Sequence, residues 1–453
     1  MSKFSSMKRQ DQFVFAGGVR AIAMAALLAA GAVPAMAQEL KTTLNDLLKS
    51  HPRLEAARND VKSAEAKISD TFRRAWTPNL DVTAENGKQR YEMLGEGNTA
   101  AGRRLDYDRA NLRATQQLFD FGKSNRMVAE AQAVLGQSQA LAASTEAGLL
   151  LEALSAHWSY VRAEKLLDFS RQSEQSVRRQ ANMESSMVEL GKGYESNVLQ
   201  AKVQLTSAEA RSMKAFGALD IARARMRAVF GELVGKVNYS QLAVVKSELM
   251  PKSLDEAKQM AMANNQQIQV GSFRSQAISE RMSSTQAKEF FPRLNLVAEK
   301  NTRFNTEGIA AKAGSPDYPK FHDEKVYFQF VYNLNAGGAG LSALDAVTRD
   351  HAASVAREID TRQLVEEQVN IAWRNVQVAA ENRQTLSNLV RIAAKFYEMA
   401  VAERQMGRRS LLEVLSAELN LINALSDLMS TEADAAIASF TLLQAIGKLD
   451  NNS

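Results

Sequence analysis

The residues whose types and spacing most suggest chemistry are Gly122, Lys123 and Ser124, which follow a strand-like segment and precede a helix-like one. Strand, Gly-Lys-Ser and helix is the order found in phosphate-binding P-loops. A P-loop also requires a glycine five residues before Gly122, and Gln117 stands there. Two interpretations are therefore open: a nucleotide site, or a corner where a strand turns into a helix.

Other residue types that support catalysis are sparse. The chain of 453 residues has no cysteine, which excludes disulfides, thiolate chemistry, cysteine-ligated metals and a lipid-bearing cysteine. The four histidines are isolated and show no metal-ligand spacing; they are His51, His157, His322 and His351. We expect no cofactor, no metal and no enzymatic activity.

The N-terminus predicts export. Four basic residues precede the apolar run from Ala21 to Val33, and the small-x-small motif Ala35-Met36-Ala37 follows it, which is typical of a cleaved signal peptide over residues 1–37. A membrane anchor is the alternative, but a membrane-spanning helix needs about 20 apolar residues. These basic residues supply most of the net charge of +5, so the remaining chain does not indicate a nucleic-acid partner.

The chain is an internal duplication, with repeats at 38–250 and 251–453. At a constant offset of 214, Leu54 matches Ile268 and Pro78 matches Pro292. Gly122 matches Gly337 at an offset of 215, and near the end of each repeat the offset is 216. In the second repeat, the segment NLNAGGAGLS keeps the glycine and loses Lys-Ser, which favours the corner over the nucleotide site.

Each repeat reads as helix, strand, strand, very long helix, turn and helix. Alternating residues predict strands at about 78–91 and 105–119 in the first repeat, and at about 292–304 and 324–334 in the second. Long stretches without proline predict coiled-coil hairpins at 123–231 and 340–447. The expected seam of the second hairpin is Leu386, Leu389, Ala393, Phe396, Ala400, Leu412, Leu415, Leu419 and Ile422.

Four strands with apolar faces in an exported chain indicate a membrane β-barrel. Four strands cannot close on themselves, and open sheet edges are not tolerated in lipid, so the chain is expected to form an obligate oligomer. Aromatic residues at the strand ends suit the bilayer interfaces; they are Trp76, Phe119, Phe121, Phe290 and Phe291. The alternative is a small soluble sheet that caps a helical bundle.

These features resemble the TolC-type outer membrane efflux proteins, or outer membrane factors. The resemblance extends from about Leu40 to Leu449 and is carried by Pro78, Pro292, the segment QLFDFGKSN, and the turns LGKGYESNVLQA and MGRRSLLEVLSAE. It implies a mainly α-helical fold with a membrane β-barrel: a homotrimer whose 12 strands form one barrel, continued by a helical periplasmic tunnel. Gly122, Gly337, Pro78 and Pro292 would then be the barrel-to-tunnel corners.

The resemblance also implies partners and a location. Such a protein sits in outer membrane lipid of a Gram-negative bacterium and docks, through a periplasmic adaptor, onto an inner membrane transporter of expected ABC type. The expected docking residues lie in the two helix turns; they are Leu190, Gly191, Gly407, Arg408 and Ser410.

Two further roles follow from the resemblance. Arg409 would hold the closed tip by bonding the neighbouring outer turn, where Glu195, Ser196 and Asn197 lie; the family's best-known latch has an acid at the Asn197 position. Glu413 would form an acidic ring in the pore, although Ser416 replaces a second acid. The alternative is that Arg409 and Glu413 form an ordinary i,i+4 helix pair.

Three functions are open from the sequence. The first is the exit duct of a type I system that secretes a protein such as an adhesin, protease or toxin. The second is a duct for multidrug or small-molecule efflux. A weaker alternative is a periplasmic adaptor, although adaptors should not carry doubled membrane strands.

Overall fold

A computed structural model describes residues 37–91, 94–95, 98–99, 103–236, 245, 247–305, 320–333 and 337–450. Of the predicted signal peptide, 1–37, residues 1–36 lie outside the described residues. The first repeat contains α1 (Ala37–Ser50), α2 (Pro52–Trp76), β1 (Asn79–Tyr91), β2 (Arg103–Phe119), α3 (Lys123–Glu189) and α4 (Glu195–Phe230). Two short 3₁₀ helices follow, at Gly231–Lys236 and Ser247–Leu249.

The second repeat has the same order of elements. It contains α5 (Leu254–Asn264), α6 (Gln266–Phe290), β3 (Arg293–Asn305), β4 (Lys320–Val331), α7 (Ala339–Gln405) and α8 (Leu411–Ala445). The two long helices, α3 and α7, have 67 residues each. The fourth strand begins and ends earlier than the alternation predicted, at Lys320 and Val331 instead of 324 and 334.

No helix within the described residues combines the length and the apolar character that a membrane-spanning helix requires.

The four long strands form one antiparallel sheet in chain order, β1-β2-β3-β4. Leu80 pairs with Ala114 in the first hairpin, and Leu294 pairs with Phe330 in the second. These pairs are related by offsets of 214 and 216, so the duplication extends to the register of the hairpins. The central pair, β2 with β3, joins the two repeats and contains a bulge between Gln117 and Phe119.

The two faces of this sheet differ in polarity. One face exposes apolar side chains on three of the strands; they are Leu80, Val82, Leu112, Val326, Phe328 and Phe330. On the other face charged and amide residues alternate with these, and Arg113 forms an ion pair with Glu299 at 3.2 Å. Apolar and polar residues thus alternate over much of the sheet, as the spacing predicted, although Val297 places a buried apolar side chain on the polar face.

The chain divides into two compact units that do not coincide with the repeats. One unit contains residues up to 56, 143–268 and from 362 on, and the other contains 57–142 and 269–361. Each unit therefore takes segments from both repeats. The sheet belongs to the second unit, and the two helix turns belong to the first.

The large core of the first unit packs helix ends from both repeats. Leu47, Met226 and Leu442 are at most 2% exposed, and Phe230 and Ile446 pack in the same cluster. Burying one such side chain stabilises the fold by about 1.5–3 kcal/mol.

The second hairpin packs along a seam that agrees in part with the predicted one, since Ala393, Ala400 and Leu415 are buried as expected. The buried residues are Ala393, Tyr397, Ala400, Val414, Ala417, Leu421, Ala424 and Leu425. Leu389, Phe396 and Leu412 are instead more than 40% exposed. The difference has a physical cause: the seam follows the side of each helix that meets the other, and apolar spacing along one helix does not by itself identify that side.

Candidate functional site

The two helix turns have the same backbone conformation. Gly191 and Gly407 have φ of +70° and +73°, a left-handed conformation that favours glycine. The amide of Gly191 donates to the Val188 carbonyl and that of Gly407 to the Arg404 carbonyl, at 2.9 and 2.8 Å. A second bond runs from each following residue to a carbonyl five residues back, which completes a Schellman motif.

After the second turn, Ser410 and Glu413 begin α8 with a reciprocal capping box. The Ser410 hydroxyl accepts from the Glu413 amide at 3.3 Å, and the Glu413 carboxylate accepts from the Ser410 amide at 3.0 Å. The Ser410 amide lowers the pKa of Glu413, whose side chain is exposed. Glu413 thus caps the helix, and Arg409 forms its ion pair with Glu403 and not the i,i+4 pair with Glu413 that the alternative interpretation proposed.

Arg409 contacts residues of its own hairpin. Its Nε lies 2.8 Å from Oε2 of Glu403, and its guanidinium lies 5.2 Å from the centre of the Phe396 ring. Both contacts hold the side chain against α7. Arg408, the next residue toward the turn, is exposed.

The predicted partners of Arg409 lie at the start of α4. Glu195 and Ser196 are exposed, Asn197 is partly buried, and the Asn197 amide donates to the Tyr194 carbonyl at 3.0 Å. Within the described part of one chain, Arg409 bonds none of these three residues. A bond to a neighbouring copy therefore stays a prediction.

A buried ion pair near the turns was missed by sequence reasoning. Arg404 of α7 pairs with Glu184 of α3, and the Glu184 side chain is only 5% exposed. The sequence did contain a signal, because Glu184 follows the buried residues Val177 and Ala181 at helical spacings of seven and three. A charged residue in such a stripe needs a partner.

At the first strand-to-helix corner, the Asp120 carboxylate binds the backbone amides at the start of α3. It accepts from the amides of Ser124 and Gly122 at 2.8 and 3.2 Å, and from the Gln117 side chain at 2.8 Å. Since this carboxylate already caps the start of α3, the corner interpretation of Gly122-Lys123-Ser124 agrees with the geometry.

The structure corrects the second corner by one residue. Gly122 has φ of +85° and immediately precedes α3, whereas Gly338, with φ of +72°, immediately precedes α7. The counterpart of Gly122 is therefore Gly338 at an offset of 216, not Gly337. Pro78 and Pro292 lie between the ends of α2 and α6 and the starts of β1 and β3.

Three aromatic rings pack together beside the first corner. The rings of Phe119 and Phe121 meet edge to face with centres 4.8 Å apart, and Phe121 stacks on Phe291 at 5.0 Å. Phe121 has φ of +54°, a strained conformation for a bulky residue, which the stacking stabilises.

Comparisons with known proteins agree with this duplicated architecture. The family described as outer membrane efflux protein matches residues 43–232 and 257–448, one segment in each repeat. The chain is 24% identical over 419 residues to the outer membrane protein TolC of Vibrio cholerae, with 91% of each chain covered. It is 25% identical over 357 residues to the alkaline protease secretion protein AprF of Pseudomonas aeruginosa, covering 76% of this chain and 69% of that protein.

Among solved structures, the fold is similar to that of the outer membrane protein VceC from Vibrio cholerae, with a TM-score of 0.75 at 17% identity. The likeness covers 90% of this chain and 96% of VceC. Since the family matches most of the sequence, this chain belongs to the outer membrane efflux proteins, transport channels that lie in the outer membrane, extend into the periplasm and work in tripartite systems with an adaptor and an inner membrane transporter.

Proposed function

We propose that three copies of this chain form one 12-stranded barrel in outer membrane lipid, continued by a helical tunnel, and that this duct exports protein from an ABC-type transporter in a type I system. The observation that carries the duct is the open four-stranded sheet with one exposed apolar face. Its edge strands are β1 and β4, and among the described strands each pairs on one side only. Lipid does not tolerate such edges, so further copies must cover them.

A second surface supports association with further copies. Exposed apolar residues recur along α7 and the residue that follows it at intervals of seven, or fourteen across Thr385; they are Leu364, Ile371, Val378, Ile392, Met399 and Met406. A seven-residue apolar repeat is the pattern of a coiled-coil seam, and in one copy this seam faces solvent. A helix of a neighbouring copy would bury it.

The pairing of β2 with β3, which joins the two repeats, predicts how β4 of one copy pairs with β1 of the next. Arg113 of β2 pairs with Glu299 of β3 across the repeats. The offset of 216 relates Arg113 to Gln329, and the offset of 214 relates Glu299 to Glu85. We therefore expect Gln329 of one copy to pair with Glu85 of the next. Both offsets are those that relate the registers of the two hairpins.

Paired cysteines test this register, because the chain has no cysteine of its own. A chain carrying both Gln329→Cys and Glu85→Cys should oxidise to a covalent trimer on a non-reducing gel. The control pair is Gln329→Cys with Ala84→Cys, whose side chains point to opposite faces of the sheet. Monomer alone from the first pair, in protein purified from membranes, would reject the proposed barrel.

Protein export is favoured over small-molecule efflux by the likeness to AprF, whose name describes secretion of an alkaline protease. The alternative cargo is a drug or another small molecule, which the family description as efflux proteins allows. Membership of a channel family removes the reason to consider a periplasmic adaptor.

Deleting the gene distinguishes the two cargo classes. If the chain serves type I secretion, a large secreted protein should disappear from the culture medium and return when the gene is restored. Unchanged secretion together with new sensitivity to drugs would reject the secretion role and support efflux. An adaptor gene and an ABC transporter gene beside this gene would identify the system in which to look.

A further inference from the structure

One face of α3 carries a row of polar residues into the contact between the two hairpins. Ser176, Gln180 and Glu184 are spaced four residues apart, so they lie on the same side of the helix. Gln180 and Glu184 contact residues of the second hairpin: Gln180 donates to Glu418 of α8 at 3.3 Å, and Glu184 pairs with Arg404 of α7.

The two buried acids in this contact have different partners. Glu184 has the guanidinium of Arg404, whereas Glu418, 6% exposed, has no cation within ion-pair distance among the described residues. The hydrogen-bond partners of Glu418 are the neutral side chains of Gln180 and Ser176. A buried carboxylate with only neutral partners is costly in its charged form.

The charged and titratable groups around Glu418 come from two helices. From α3, Arg179 is exposed and acts on Glu418 only through its electric field. From α7, the Tyr397 hydroxyl also forms a hydrogen bond with the Ser176 side chain. The neighbouring helix α4 packs nearby through Ala201 and Ala208, and its Glu209 pairs with Arg178 at 2.9 Å.

We propose that Glu418 is a proton-dependent contact between the two hairpins, so that acidification tightens the packing of α8 against α3 near the helix turns. The protonated carboxyl can donate a hydrogen bond and carries no buried charge. The charged form lacks a counter-ion and favours separation, because separation admits water to the carboxylate.

Burial raises the pKa of Glu418 to about 7, and burial together with Glu418 raises the pKa of Tyr397 to about 12. A raised pKa means that the packed state binds the proton more tightly than the separated state. Protonation therefore stabilises the packed state to its full extent at pH values below 4.5, the pKa of an exposed carboxyl. This advantage is lost as the pH rises through about 7.

In a channel, tighter hairpin packing would hold the tunnel end closed, and this consequence rests on the proposed function. The contact itself does not depend on transport. It can be measured on the full chain in detergent micelles, so failure of the cysteine cross-link would reject the barrel and leave this inference standing.

Hydrogen exchange of the wild type and of Glu418→Gln, compared at the same pH, tests the contact. The amide of glutamine reproduces the neutral carboxyl, and comparison at one pH removes the chemical effect of pH on exchange. At pH 8, we expect amides at 176–184 and 414–421 to exchange about tenfold faster in the wild type than in the variant. At pH 4, the two should agree. Equal exchange at both pH values overturns the proposal.

Two further variants keep the test decisive. Glu432→Gln changes another acid of α8 whose pKa is raised by burial, and it should leave exchange at 176–184 unchanged. Gln180→Lys provides the missing cation and should abolish the faster exchange at pH 8. If the Gln180→Lys protein exchanges as fast as the wild type at pH 8, Glu418 is not the group that responds.

Discussion

Arg404 and Glu184 form a buried ion pair that links the second repeat to the first, one and five residues before the ends of their helices. The Arg404 side chain is 28% exposed and the Glu184 side chain 5%. Because the pair lies beside the helix turns, any movement of one hairpin away from the other must break it. The pair thus provides, within one chain, the contact that the sequence had predicted only for Arg409.

Removing Arg404 should loosen the turns. Arg404→Ala leaves the Glu184 carboxylate buried without its cation, which costs about 3–5 kcal/mol. We expect a lower unfolding temperature and, in planar bilayers, a higher single-channel conductance. The double variant Arg404→Met, Glu184→Leu removes both charges and should recover most of the thermal stability. Unchanged conductance of Arg404→Ala channels would show that the pair does not hold the turns closed.

Arg409 is expected to hold the closed state through a neighbouring copy. If so, Arg409→Ala should raise single-channel conductance, whereas Arg408→Ala, which changes an exposed arginine one residue away, should not. Equal conductance of the Arg409→Ala channel and the wild type would leave Arg409 with only its contacts to Glu403 and Phe396.

Glu413 serves as a helix cap, and substitution can separate this role from the predicted role in the pore. Glutamine also accepts the Ser410 amide, so Glu413→Gln should keep the capping box while removing the charge. If three Glu413 side chains line the pore, the variant should lose cation selectivity, measured as a reversal potential across a KCl gradient. An unchanged reversal potential would confine Glu413 to capping.

Strain at the two corners should be visible in thermal unfolding. Gly122→Ala and Gly338→Ala place a Cβ on residues with positive φ, at a cost of about 1–2 kcal/mol each, although the added atom meets nothing within 4 Å. Gly217→Ala is the matched control, because it lies inside α4 in open space and should stabilise the helix by about 0.5–1 kcal/mol. A loss of stability from Gly217→Ala, or none from the corner variants, would contradict this account.

The order of helices and strands could be predicted from the sequence, because it follows from the internal duplication and from the periodic spacing of apolar residues. Pro78 and Pro292 marked where helices end, and strict alternation around Phe328 marked a strand. The duplication also revealed the corner at Gly122, since a glycine is needed there in both repeats while Lys123 and Ser124 are not. These signals are local and need no knowledge of the packing partner.

Contacts between distant segments could not be predicted in the same way. In the second hairpin, Ala393 and Ala400 were predicted correctly, but Tyr397 and Ala417 were missed, because the side of a helix that meets its partner depends on the folded arrangement. Glu184 and Arg404 are 220 residues apart in the chain. Only the folded arrangement of α3 and α7 identifies them as partners.

The equal registers of the two hairpins also bear on symmetry and evolutionary history. A single ancestral repeat could close the proposed barrel as a hexamer with six identical junctions. Fusion of two repeats into one chain divides the six junctions into two classes, three within chains and three between chains. The residues of one class can then change without changing those of the other. Arg109 faces Arg303 at the internal junction, a like-charge pair that the other class need not copy. A chain built from two copies of the second repeat tests this history: it should still assemble as a trimer, and failure to assemble would show that the two junctions have become distinct.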